Sequence, residues 1–153
     1  MNARMILPAL LLAAATAPAL ASGPSVSGAW IRAVPAGADT TAGYMRLHNP
    51  SDRPLALIGA SSPAFGLVEL RKSVFSNGAG RVIPQARVVV PAHGRLDFAP
   101  GGYHLILQQP GHALHAGDDV AVTLRFYGGR TLRTTFRVRP APGREPMPRA
   151  PAP

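Results

Sequence analysis

Imidazole nitrogen and thioether sulfur are the soft and borderline metal donors this chain offers, because its 153 residues include five histidines and four methionines but no cysteine. Such donors suit copper, and the imidazoles alone suit zinc. Thiolate chemistry, zinc ribbons and iron–sulfur clusters are excluded. His104 lies in Tyr103 to Leu107, a short stretch that reads as a strand, so Ile106 shares its face. There it could simply pack near the strand end with one ring nitrogen hydrogen-bonded. His93, His112 and His115 fall in predicted loops, where they are either solvated or weak captors of Cu(II) or Zn(II). Met45 and His48 stand on opposite faces of one strand by parity and cannot chelate together. Glu69 and Arg71 share a strand face and suit an ion pair. Adjacent Asp118 and Asp119 point apart and suit a turn better than a carboxylate dyad. No Gly-x-Ser-x-Gly elbow or phosphate-binding loop occurs, and no acid, base and nucleophile converge, so the chain reads as a non-enzyme.

These side chains must be carried by β-strands. Candidate strands are Ala29 to Val34, Gly43 to His48, Leu55 to Ala60, Leu67 to Arg71, Arg87 to Val90, Arg95 to Phe98 and Tyr103 to Leu107, each bounded by Pro, Gly, Asn, Asp or Ser. The clearest element is the last hairpin. Val120, Val122, Leu124 and Phe126 alternate with polar or small residues, as do Leu132, Thr134, Phe136 and Val138 after Gly128-Gly129. Period two means one buried and one wet face, and Gly-Gly suits the positive φ of a tight turn. Apolar residues at helical spacing are nowhere sustained after the first 21 residues. An all-β antiparallel sandwich or barrel follows.

The spacing around His104 resembles a known site. Ten residues separate Arg71 from Val82, twenty-one separate Val82 from His104, and Ile106 lies two beyond. Together with Val68-Glu69-Leu70, Ile83-Pro84 and Pro100-Gly101-Gly102-Tyr103-His104-Leu105, this is similar to the periplasmic copper chaperones of the PCu(A)C type. Ala29-Trp30-Ile31-Arg32-Ala33, Thr41-Ala42-Gly43-Tyr44, Ile58 to Ala64 and Gly117-Asp118-Asp119-Val120 extend the resemblance over about Gly28 to Val138. It implies a cupredoxin-like or immunoglobulin-like β-sandwich, Cu(I) as cargo, and copper-oxidase assembly proteins as partners. In that family the four positions carry His, Met, His and Met. Here they are Arg71, Val82, His104 and Ile106, so His104 is the one metal ligand the resemblance transfers. Isoleucine and valine have no lone pair to donate, and a guanidinium stays protonated. Two functions stay open: a copper chaperone working through His104, or a metal-free binding or assembly module that uses its basic surface. Arg71 beside His104 would then serve as an anion-binding or docking patch.

Residues 1–21 read as an export signal: Arg4, then the apolar run Ile6 to Ala15, then Ala19-Leu20-Ala21 before the cleavage point. That run is shorter than the roughly 20 residues a membrane span needs, and no later segment is apolar enough. A periplasmic or secreted domain at 22–139 is expected, followed by a disordered Pro/Arg-rich tail at 140–153 whose one soft donor is Met147. The whole chain carries 16 basic against 7 acidic residues, net +9, and removing Arg4 leaves +8. The arginines are scattered rather than interleaved with aromatics, and with export this argues against nucleic acid and for anionic surfaces or acidic partners. The sequence leaves the oligomeric state open.

Overall fold

The computed structural model describes residues 23–34 and 36–140. The expected export segment, and the tail beyond Pro140, lie outside them. The described residues form ten strands and no helix: β1 Ser25–Arg32, β2 Thr40–His48, β3 Leu55–Ser61, β4 Phe65–Ser76, β5 Ala79–Pro84, β6 Val88–Val90, β7 Arg95–Phe98, β8 Tyr103–Pro110, β9 Asp119–Phe126 and β10 Thr131–Arg139.

Hydrogen bonding links them in the order β5-β4-β8-β7-β2-β1-β10-β9-β3-β6. The sheet folds over at β1. Antiparallel to β2 along most of its length, β1 also runs parallel to β10 at Trp30, Ile31 and Arg32. It therefore belongs to both layers. The first half of β2 pairs with β8 and the second half with β7, so both lie beside it. Pairing is antiparallel except at β1–β10 and at the single β7–β8 pair Phe98 and Tyr103.

Alternation puts one residue in two between the layers. Val120, Val122, Leu124 and Phe126 of β9 and Phe136 and Val138 of β10 meet Leu47 of β2, Val68 and Leu70 of β4, and Leu105 and Leu107 of β8 in one core. Gly43 marks how closely the layers approach. A Cβ there would sit 3.1 Å from Leu107 Cδ1 and 3.5 Å from Phe136 Cε1. Gly128 and Gly129 take φ of 87° and 86° at the last hairpin, as the sequence predicts.

One hairpin lies outside the strands that the sequence pattern predicts. β4 runs on to Ser76 and turns at Asn77-Gly78, with φ of 51° and 78°, into β5. Asn-Gly is the strongest short hairpin signal, since both residues tolerate positive φ. It was masked because Arg81 to Pro84 lacks an alternating apolar face: every residue of β5 is exposed.

Candidate metal-contact face

The β4–β8 register sets Arg71 opposite His104 and Glu69 opposite Ile106. Their neighbours Leu70 and Leu105 point into the core, so these four side chains share the outer face of the layer. Val82 pairs with Ser73, which by parity lies on the same face as Arg71. The fold thus gathers the four positions singled out in the sequence onto one surface, with Val82 one strand over and 52% exposed.

His104 is only 5% exposed despite facing outward. Tyr44 stands beside it at 6.5 Å between ring centroids, Trp30 lies 4.7 Å beyond Tyr44, and the Arg139 guanidinium covers Trp30. His104 Nδ1 is 2.9 Å from the Gly102 carbonyl oxygen. A carbonyl can only accept, so Nδ1 carries the proton and Nε2 keeps its lone pair. Metal-binding histidines are oriented in this way. The same bond fulfils the simpler expectation of one ring nitrogen hydrogen-bonded in the strand.

Among the described residues, the positions that share this face with the imidazole, Arg71, Val82 and Ile106, supply no second soft donor. Arg71 Nη2 donates to Glu69 Oε2 at 2.7 Å, and Gln108 Nε2 donates to the same oxygen at 2.9 Å. The predicted Glu69–Arg71 pair is therefore formed, with Gln108 as a third member that the sequence did not single out. Both charged side chains are mostly covered, at 25% and 31% exposure, and Arg71 Nε is buried without a partner. A cation about 4 Å from the guanidinium would be repelled by about 4 kcal/mol at an effective dielectric of 20, a cost that Glu69 partly offsets. The shortage of donors is the larger obstacle. Among the described residues no group of three or more His, Asp or Glu side chains could hold a metal ion.

The other histidines lie elsewhere. His112 and His115 are exposed on the loop after β8, whose end at Pro110 is about 20 Å along the strand from His104. His115 N–H donates to Asp118 Oδ2 at 2.8 Å, the turn role expected of that aspartate, while Asp119 pairs with Arg137 at 3.0 Å. Met45 points into the core and His48 lines a hollow on the outer face, so the two diverge as parity requires.

The described residues form a ten-stranded β-sandwich, the cupredoxin-like fold of PCuAC domains. The copper-bound PCuAC domain from PmoF2 superposes with a TM-score of 0.65 at 24% identity, covering 79% of this chain and 96% of that one. The Cu(I) form of DR1885 from Deinococcus radiodurans gives 0.61 at 32% identity, covering 79% and 81%. The family model described as "Putative lipoprotein LpqE-like" matches residues 25–138, and the chain belongs to that family. A relative from Leifsonia xyli subsp. xyli, "Putative lipoprotein Lxx21020", is 35% identical over 121 residues, 78% of this chain and 71% of its own length. The present sequence has no cysteine to carry a lipid.

Proposed function

We propose that this is an exported, non-enzymatic copper-handling protein of the PCuAC type, working through His104 alone. Residues 1–21 direct export, 22–139 form the working domain, and 140–153 form a solubilising tail. The observation that carries the reading is the Nδ1–H···O=C bond to Gly102, which presents Nε2 as a lone-pair donor on the outer face. Copper-bound relatives of the same fold support it. One imidazole does not retain Cu(I) against competition, so the remaining ligands come from the molecule that hands over or receives the ion. Copper-oxidase assembly proteins are the partner class.

The Arg71–Glu69–Gln108 network favours a second reading: a metal-free assembly module in which a guanidinium stands opposite His104. Titration with Cu(I) of the protein together with a copper-oxidase assembly partner, against a Cu(I)-specific chelator and alongside His104→Ala, separates them. Cu(I) uptake that His104→Ala abolishes supports copper handling. Identical traces for the two proteins, with and without a copper-loaded assembly partner, would leave the metal-free module.

A further inference from the structure

The same outer face carries a second cluster, beyond Tyr44 along β2. β1 sets Ser25 opposite His48 and Ser27 opposite Arg46, and β7 sets Arg95 opposite His48 and Asp97 opposite Arg46. Ser25, Ser27, Arg46, His48 and Arg95 line one hollow. Its shape follows from the chain: short serines form one wall and long arginines the other. Past Ser27, a bulge with Gly28 at φ +59° shifts the β1 register before Trp30.

Donors predominate in this hollow. Two hydroxyls, two guanidiniums and an imidazole converge from three strands, and Asp97 is already engaged by Arg46 at 2.6 Å. Arg95 has no salt bridge or side-chain hydrogen bond among the described residues. The backbone that carries these groups is fixed. Buried Asn49 follows His48, its N–H donates to the Gly94 carbonyl at 2.8 Å, and its side chain bonds Arg53, Val90 and Pro91 carbonyls. The end of β2 and the start of β7 are thus clamped together.

We propose that this hollow binds a phosphate group. A planar carboxylate presents its two oxygens in one plane, to one guanidinium at a time, whereas a tetrahedral oxyanion offers oxygens to donors on three sides. An adjoining hollow shares Ser27 and Arg46 and is walled by Trp30 and Phe98, giving room for an apolar substituent on the phosphate. Free phosphate and an anionic lipid headgroup present the same chemistry.

The test is titration of the protein with inorganic phosphate, followed by backbone amide shifts, and co-sedimentation with phosphatidylglycerol or phosphatidylcholine vesicles. Saturable shifts confined to Ser25, Ser27, His48 and Arg95 are expected. Arg95→Gln weakens binding by about tenfold, as loss of a charge-assisted contact implies, and His48→Gln weakens it in the same direction. Arg133→Gln, an exposed charge on β10, serves as the matched control. Saturation by phosphate without vesicle binding identifies a free phosphate ligand. Arg95-dependent sedimentation with phosphatidylglycerol alone identifies a headgroup. Non-saturating shifts over all the arginines, or equal weakening by Arg133→Gln in both arms, would overturn the proposal.

Discussion

Asn49 is the side chain on which the two loops behind the phosphate hollow depend, and its removal has a calculable cost. It is 1% exposed. Its Nδ2 donates to the carbonyls of Arg53 at 2.8 Å, Pro91 at 3.0 Å and Val90 at 3.3 Å, two protons serving three acceptors. Its Oδ1 accepts from the Ser51 hydroxyl at 2.7 Å and the Ser51 amide at 3.2 Å. In Asn49→Ala the Ser51 groups can turn to water, but the Val90 carbonyl stays buried. Two lost donors at about 1 kcal/mol each, plus one stranded acceptor at about 1–3 kcal/mol, give a loss of about 3–5 kcal/mol. For a domain of this size that lowers Tm by about 10–20 °C. Asn49→Asp is the sharper probe, because at neutral pH it sets an acceptor-only carboxylate against three carbonyls. It should be less stable than Asn49→Ala, and the gap should narrow as acid protonates the new carboxyl. Urea unfolding of the three proteins across pH measures this. A loss below about 1 kcal/mol for the alanine variant, or no difference between alanine and aspartate, would refute the clamp.

Rebuilding the donor set by Arg71→His, Val82→Met and Ile106→Met should give Cu(I) binding that competes with a strong chelator, and His104→Ala in that background should abolish it. The outward positions keep the stability cost within about 3 kcal/mol, checked by the same unfolding assay. The Arg46–Asp97 pair gives a pH signature. Its hydrogen bond holds the Asp97 carboxyl below the ordinary carboxylate value, so its contribution is complete above that value and disappears as pH falls through the lowered one. Asp97→Asn should therefore lose that small contribution at neutral pH and match the parent protein at the acid end, flattening the slope between the two.

How much of this was legible depended on whether a property is local in the chain. The β9–β10 hairpin was readable because Val120 to Phe126 alternate and Gly128-Gly129 allow positive φ. Glu69 and Arg71 could be paired by parity alone. Asn77-Gly78 was readable too, but the exposed strand after it has no inward face to confirm the turn. The parallel contact of β1 with β10, the Gln108 bond to Glu69 and the meeting of Ser25, His48 and Arg95 arise from registers between distant strands. No local pattern encodes those.

Parity also explains how the β4–β5 and β4–β8 pairings hold their register whatever side chains stand at the outward positions. On β4 and β8 the core is built by Val68, Leu70, Leu105 and Leu107, whereas positions 69, 71, 104 and 106 face outward and Val82 sits on an exposed hairpin. A substitution at 71, 82 or 106 therefore removes no inter-layer packing, and the strands keep their register whatever stands there. The Arg71–Glu69–Gln108 network adds a polar fastening across β4 and β8 that needs no metal. His104 differs from these three: it is nearly covered, set at a tilt beside Tyr44 and tied to Gly102. Its replacement would disturb packing as well as chemistry. That structural role can retain a histidine at this position whether or not copper ever reaches it.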